Sequence, residues 1–269
     1  MALLITDEYR RSLGELRFHP TPKRVRARKN GETLVDSEQA RIVWEPRRVV
    51  GQYAVPVADI AADLTEAPAP AAAEHPVRMI DSPVLDPSSA FAVHTCPGST
   101  FDVGPCQAAG FVPDDPDLDG YVLLDWAAFD EWLEEDEPIV GHPRDPRSRI
   151  DLLASSRHVR VELDGVELAN SVRPLLLVET FLPPRYYLRP EDVRMELLQP
   201  SDLRTTCAYK GHAAYWSLGT TAPNIAWAYP EPLDGMQRLA GLVSFFTEQV
   251  DLEVDGVRLE RPLTPWSSN

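Results

Sequence analysis

The stretch VRVELDGVELANS, residues 159–171, decides the fold of the later half of this chain. Its first five residues alternate between apolar and charged side chains, which is the period of a β-strand with one buried and one solvated face. The Asp-Gly pair at 164–165 is a dipeptide that two-residue type I′ turns favour. The stretch therefore predicts an antiparallel β-hairpin.

The same hairpin pattern occurs earlier in the chain as VRARKNGETLVDS, residues 25–37. A second match, after a slip of one residue, joins VPVADIAADL to LRPEDVRMELL. We interpret these matches as a tandem duplication, with a first, divergent copy at 1–155 and a second, complete copy at 156–269. The identities that recur at one constant spacing are Val25, Arg26, Gly31, Leu34, Ser37 and Glu45, which reappear as Val159, Arg160, Gly165, Leu168, Ser171 and Glu179.

Two further segments divide the first copy. The stretch TEAPAPAAAEHP, residues 65–76, is low in complexity and is predicted to be an extended or disordered linker. Residues 138–155 are expected to form the connector to the second copy.

The remaining patterns predict a mainly β fold of the β-rich α+β class. A third turn of the same type is expected at Asp255-Gly256. Apolar residues at helical spacing predict one helix per copy, at 125–136 and 234–250. The stretch at 191–198 fits either a strand or a short helix. We therefore expect antiparallel sheets with one helix packed on them in each copy.

Composition limits the classes of partner. Acidic residues outnumber basic ones by 42 to 26, for a formal net charge of −16. Binding to nucleic acid or to an anionic membrane requires a basic face, so neither is expected. The short apolar start is followed at once by charges, unlike a secretory signal, and three cysteines fit reduced thiols. These features predict a cytoplasmic protein.

The later half contains Cys207, Tyr209, Lys210 and Gly211, then an aromatic pair, and then an Ala-Trp-x-Tyr-Pro-x-Pro segment at 226–232. In the order of these segments it resembles a known bacterial family, DUF427. The motif is a Cys-Pro-(Tyr/Trp)-Lys-Gly segment with an aromatic pair, followed by Ala-Trp-x-Tyr-Pro-x-Pro. The resemblance covers the second copy and implies a β-rich fold similar to the Mss4-like or β-tent group. Ala208 replaces the usual proline, and His212 replaces a common acidic residue. The matching positions are Cys207, Tyr209, Lys210, Gly211, Tyr215, Trp216, Ala226, Trp227, Tyr229, Pro230 and Pro232.

The motif suggests a binding site around Lys210. A lysine next to a glycine can meet an anionic ligand as a point charge, and aromatic rings can wall the same cleft. The alternative is that the rings form core between the sheets while Lys210 reaches water. The predicted ligand is a small anionic or aromatic metabolite. The expected ligand-binding residues are Tyr209, Lys210, Gly211, Tyr215, Trp216, Trp227 and Tyr229, with Arg185 and Tyr187 at the rim. The alternative for Arg185 is a solvated arginine in a loop.

Catalysis is a second interpretation. Cys207 would act as a nucleophile, with Lys210 favouring its thiolate or itself reacting covalently, and His212 as a base. The alternative is a cysteine buried as a small apolar residue. A protein-interaction module without a ligand is a third interpretation.

No cofactor and no metal are expected. Paired Cys-x-x-Cys zinc knuckles do not occur in the sequence. His94, Cys96 and Cys106 do not follow a recognised spacing of metal ligands.

Overall fold

The computed structural model describes residues 2–267, and the chain divides into two compact units, 1–145 and 146–269. The division falls earlier than the predicted break after residue 155, because a strand at Ile150–Ala154 pairs with Leu175–Glu179 inside the second unit. Each unit is described by itself below.

The first unit contains the α-helix of the described chain, α1, and thirteen strands. Three 3₁₀ turns, at Val57–Asp59, Pro116–Leu118 and Trp126–Ala128, connect some of them. The elements are α1 (Ile5–Ser12), β1 (Arg17–Pro20), β2 (Val25–Lys29), β3 (Glu32–Ser37), β4 (Arg41–Trp44), β5 (Gln52–Pro56), β6 (Leu64–Ala67), β7 (Pro76–Met79), β8 (Ser82–Leu85), β9 (Gly98–Val103), β10 (Cys106–Pro113), β11 (Tyr121–Leu124), β12 (Glu131–Glu134) and β13 (Glu137–Ile139).

The second unit is built from eleven strands and three 3₁₀ turns, at Pro190–Asp192, Met195–Leu197 and Gln237–Leu239. The strands are β14 (Ile150–Ala154), β15 (Val159–Leu163), β16 (Val166–Ser171), β17 (Leu175–Glu179), β18 (Arg185–Tyr187), β19 (Gln199–Cys207), β20 (Gly211–Leu218), β21 (Ala222–Ala228), β22 (Val243–Phe245), β23 (Asp251–Val254) and β24 (Val257–Arg258).

The strand order is the same in the two units. In the first unit a seven-stranded sheet runs β1-β4-β5-β11-β10-β9-β6, and a smaller sheet runs β13-β12-β2-β3. In the second unit the order β14-β17-β18 continues through two backbone hydrogen bonds between Leu188 and Val243 into β22-β21-β20-β19. Its smaller sheet runs β24-β23-β15-β16. All these pairings are antiparallel, as predicted.

The predicted hairpins form where the sequence places them. Asp164 and Gly165 have φ values of 52° and 80°, the left-handed pair that a type I′ turn requires. Asn30-Gly31 and Asp255-Gly256 adopt the same conformation. The β2–β3 and β15–β16 pairs also share a register irregularity two residues after Val25 and Val159 respectively.

The prediction of one helix per copy is wrong. Residues 234–250 form a 3₁₀ turn and then β22, because Gly235 and Gly241 adopt positive φ values that end a helix and Val243–Phe245 pair with β21. Residues 125–136 form a 3₁₀ turn and then β12, which pairs with β2. The ambiguous stretch at 191–198 contains the last part of one 3₁₀ turn and the whole of another. The helix that does form, α1, buries none of its residues.

Part of the segment predicted as an extended or disordered linker, residues 65–76, lies in strands. Residues 65–67 belong to β6 and Pro76 begins β7, whereas residues 68–75 have no regular secondary structure.

Apolar side chains fill both faces of the large sheet in the second unit. One cluster joins the large sheet to the small one and contains Val159, Leu252 and Phe245. The other cluster lies on the large sheet alone and contains Leu177 and Tyr187. Met236, Leu239, Leu242 and Phe246, from the predicted helix region, pack on this second cluster.

Candidate functional site in the second unit

The site is organised around the turn between β19 and β20. Cys207 pairs with Gly211, so Ala208, Tyr209 and Lys210 form the connection. Gly211 has φ 102°, and a Cβ there would lie 3.2 Å from the Glu231 carbonyl oxygen. Glycine is therefore required at this position.

The Tyr-Pro-x-Pro part of the motif holds this turn in place. The Leu233 N–H donates to the Lys210 carbonyl at 3.1 Å, and Pro232 forms a β-bridge with Gly211. The two halves of the family motif, far apart in sequence, are thus adjacent in space. Their contact fixes the direction in which Lys210 leaves the backbone.

Lys210 points into the protein and donates to a carboxylate. Its Nζ is hydrogen-bonded to Oε2 of Glu179, the last residue of β17. The side chains of Lys210 and Glu179 are 9% and 11% exposed, so the pair is largely buried but reaches solvent. The Lys210 ammonium therefore does not lie on a flat outer surface, and it does not extend fully into bulk water.

This ion pair has unused hydrogen-bonding capacity. An ammonium has three N–H donors, and Lys210 uses one of them within residues 2–267. In the same part of the chain, Oε1 of Glu179 accepts no hydrogen bond. Buried polar groups normally find partners, so these free positions are candidates for contact with water or a ligand.

Two buried tyrosines, Tyr187 and Tyr229, lie close enough to Glu179 for its charge to raise the pKa of their hydroxyls. Burial raises the pKa of Tyr187, and the charges of Glu179 and Cys207 raise it further. Burial also raises the pKa of Tyr229 well above its usual value, with contributions from Tyr187, Cys207, Tyr215 and Glu179. Both hydroxyls are therefore protonated donors at neutral pH.

The O–H groups of Tyr187 and Tyr229 also donate no hydrogen bond within residues 2–267. Tyr187 Oη accepts a hydrogen bond from Trp227 Nε1 at 3.1 Å, which leaves its own O–H available. The Tyr229 hydroxyl has no hydrogen-bond partner within residues 2–267, although the residue is only 6% exposed. We name Glu179, Lys210, Tyr187, Tyr229 and Cys207 the lysine cluster.

Most of the predicted aromatic residues pack together near the lysine cluster. Tyr187, Tyr215, Trp227 and Tyr229 share one apolar cluster, with Cys207 packed against it. This cluster lies on the large sheet alone and does not form the core between the sheets. Tyr209, in the turn, is half-buried.

Trp216 lies apart from these residues. Neighbouring residues of a strand face opposite sides, so Tyr215 and Trp216 cannot both line one face. Trp216 packs against the cluster between the two sheets.

Arg185 is placed differently from both sequence interpretations. It lies buried in β18, neither at a solvated rim nor in a loop. Its guanidinium donates to both carboxylate oxygens of Glu248, at 2.6 and 2.7 Å, and to Thr247 Oγ1 at 2.7 Å. Burial alone would raise the pKa of Glu248, but the hydrogen bond and charge of Arg185 outweigh it and lower the pKa. Arg185 is thus committed to a structural ion pair.

The proposed base His212 faces away from Cys207. It is exposed and its Nδ1 lies 2.9 Å from Thr206 Oγ1 across the hairpin. Cys207 is half-buried.

Sequence reasoning missed Glu179 as a partner of Lys210. The available signal was its recurrence with Glu45, because a glutamate repeated at the end of an apolar strand is unusual in a buried position. Glu248 gave no such signal.

Metal binding receives no support from the described residues. Within 2–267, no three His, Cys, Asp or Glu side chains are arranged as metal ligands. Cys106 packs in the core between the sheets of the first unit, whereas Cys96 contacts Glu45.

The fold and the lysine cluster define a β-sheet domain with a buried lysine–glutamate pair beneath an aromatic motif. Residues 151–256 match the family model described as Domain of unknown function (DUF427). The match lies entirely within the second unit. No curated protein sequence matches the chain. None of the helices in residues 2–267 has the length and apolar character needed to span a membrane.

Proposed function

We propose that the second unit binds a small anionic or aromatic metabolite at the lysine cluster. The observation that carries this proposal is the unused hydrogen-bonding capacity of the Lys210–Glu179 pair, which is nine-tenths buried yet reaches solvent. A ligand oxygen would accept from Lys210 Nζ and from the Tyr229 hydroxyl. The rings of Tyr215 and Trp227 would pack against a flat ligand.

The charge of the Lys210–Glu179 pair limits which ligands can bind at the lysine cluster. Glu179 already balances the ammonium, so a bound anion must compete with a carboxylate in direct contact. A flat ligand with one carboxylate or enolate oxygen satisfies the cluster better than a multiply charged phosphate.

A thermal-denaturation screen of metabolites tests the proposal. A hit is expected to raise the melting temperature of the wild type, because a ligand that binds only the native state stabilises it by mass action. The same hit is expected to have no effect on Lys210→Met and a reduced effect on Tyr229→Phe, which removes only a hydroxyl. His212→Ala, on the exposed side of the same hairpin, is the matched control and keeps the full shift. The absence of any hit in a broad library, or equal shifts in all variants, would refute the proposal.

Covalent catalysis by Cys207 or Lys210 is less well supported. The Lys210 ammonium is hydrogen-bonded to Glu179, and His212 bonds to Thr206 rather than to the thiol. A reagent that labels Cys207 in the native protein much faster than Cys96 would favour this alternative.

The proposal also covers the relation between the two units, the classes of partner and the location of the protein. The shared strand order of the two units supports a tandem duplication in which the first unit is a divergent copy with an Mss4-like or β-tent fold. The net charge of −16 supports a protein that binds neither nucleic acid nor membrane. Three free cysteines support a reducing cytoplasm, and the resemblance to DUF427 supports a bacterial source.

A further inference from the structure

An open cavity of about 460 Å³ lies at the surface of the first unit, between two segments of irregular backbone. One wall consists of Ala71–Ala73 and His75, and the other contains Asp86, Ser89 and Val93. The volume falls in the range of about 300–1,000 Å³ that small-molecule sites occupy. None of the lysine cluster residues lines it.

Arg47 holds the first wall in place. Its guanidinium donates to both carboxylate oxygens of Glu74, at 2.8 and 2.9 Å, next to the alanine run. Bidentate pairs of this kind fix orientation as well as position. The Arg47 carbonyl also accepts from the Leu85 N–H at 3.0 Å, which ties the same residue to the strand leading into the second wall.

Arg48, the next residue, holds the second wall. Its side chain is buried and donates to the main-chain carbonyls of Ala90, Phe91 and Val93, at 2.5 to 3.4 Å. A further backbone hydrogen bond of 2.9 Å, from the Asp86 N–H to the His75 carbonyl, joins the two walls. Two consecutive arginines therefore fix both walls of the cavity, which is the preorganisation that a binding site needs.

Three polar groups that line the cavity have hydrogen-bonding positions without a partner within residues 2–267. Asp86 Oδ1 accepts from the Ser88 N–H at 2.8 Å and from the Ser88 hydroxyl, whereas Oδ2 accepts no hydrogen bond within residues 2–267. Ser89 Oγ is buried without a hydrogen-bond partner in the same range. The His75 ring also has no hydrogen bond or ion pair there.

The charges in and around the cavity indicate the chemical class of its ligand. Asp86 supplies the one carboxyl group among the described residues that line the cavity, and a carboxylate only accepts hydrogen bonds. Arg47 and Arg48 are each paired with a glutamate, Glu74 and Glu45, so their charges are already balanced. We propose that this cavity binds a small primary amine that also carries a hydroxyl or carbonyl oxygen. The ammonium would bind Asp86 Oδ2, and the oxygen would bind Ser89 Oγ, between walls of alanine and valine methyl groups.

Titration with ethanolamine, followed by NMR of the alanine methyl groups, tests this proposal on the full chain. Saturable shifts are expected for Ala71–Ala73 and Ala90. Asp86→Asn keeps an oxygen for the Ser88 turn but removes the charge, and is expected to weaken binding about tenfold, the effect of losing a hydrogen bond to a charged group. Ser89→Ala is expected to produce a smaller loss.

The controls separate this result from general attraction to an acidic protein. Asp119→Asn removes an equally negative, exposed side chain of the same unit and is expected to leave binding unchanged. Propan-1-ol, which lacks the ammonium, is expected not to shift the same methyl groups. The proposal is overturned if ethanolamine gives no saturable shift, if Asp86→Asn binds as the wild type does, or if propan-1-ol or acetate shifts these methyl groups equally.

Discussion

Glu45, directly after β4 in the first unit, and Glu179, the last residue of β17 in the second, lie at the ends of matching strands, yet their carboxylates are used differently. Glu45 is completely buried, and both of its oxygens have partners. Oε1 accepts from the Thr95 N–H at 2.9 Å, and Oε2 lies 3.2 Å from His94 Nδ1 and 3.5 Å from Arg48 Nε. Glu179 instead has one described partner, Lys210, and a free oxygen.

The difference shows how one backbone position can carry two roles. In the first unit the carboxylate joins β4 to the segment before β9 and leaves no oxygen for a ligand. His94 stacks on Phe111, with ring centroids 3.6 Å apart, which completes this packing. In the second unit the same position leaves donors and an acceptor free beside aromatic rings. We infer that the first carboxylate is structural and that the second belongs to a binding site.

The largest expected effect is at the structural carboxylate. Glu45→Ala leaves Arg48 buried without its carboxylate and is expected to lower the free energy of unfolding by about 3–5 kcal/mol. Urea denaturation of the full chain, monitored by tryptophan fluorescence, measures this loss. A loss below that of an exposed glutamate, such as Glu8→Ala, would contradict the structural role.

A smaller loss is expected at the second site. Lys210→Met keeps the length of the side chain but removes the charge, so Glu179 loses its partner. Because Glu179 reaches solvent, water can replace part of the interaction, and the expected cost is about 1–3 kcal/mol. Comparison of Lys210→Met with Glu45→Ala in the same urea series tests the contrast. Equal losses would show that both carboxylates are structural.

The dependence of stability on pH sharpens the contrast. Burial alone would raise the pKa of Glu45, but the hydrogen bond and charge of His94, the Thr95 N–H and Arg48 outweigh it and lower the pKa. A carboxylate with a lowered native pKa adds stability above its unfolded value, about 4.3 for glutamate, and loses it as the pH falls through the native value. Glu45→Gln is therefore expected to reduce the loss of stability on acidification below about pH 4.3. An unchanged acid-unfolding profile would contradict this assignment.

The smallest effect on stability is expected at Tyr229. Its hydroxyl has no partner within residues 2–267, so Tyr229→Phe is expected to change the free energy of unfolding by less than about 0.5 kcal/mol. Tyr187→Phe removes the acceptor of the Trp227 indole N–H and is expected to cost more, about 1 kcal/mol. The reverse order would show that the Tyr229 hydroxyl has a structural partner.

Local patterns in the sequence predicted the hairpins, because a type I′ turn depends on two residues and their neighbours. They failed at 234–250, where apolar residues spaced like one face of a helix belong to a 3₁₀ turn and a strand. The outcome there depends on β21, a distant partner that periodicity does not contain.

The candidate site shows the same limit. The motif pointed to Lys210 and the aromatic residues around it, since their order along the chain resembles the family. The partner carboxylates, Glu179 and Glu248, come from strands and turns brought near by the sheet order. A pairing across the fold has no local signal, and so Arg185 was expected at a rim when it lies in a buried ion pair.

An experimental structure at a resolution that shows ordered water tests the central claim most directly. The claim is that Lys210 and Glu179 leave hydrogen-bonding positions for a ligand. The account predicts an ordered water or ligand atom within about 3.2 Å of both Lys210 Nζ and Glu179 Oε1. Protein atoms that occupy all the donors of Lys210 and both oxygens of Glu179 would contradict it.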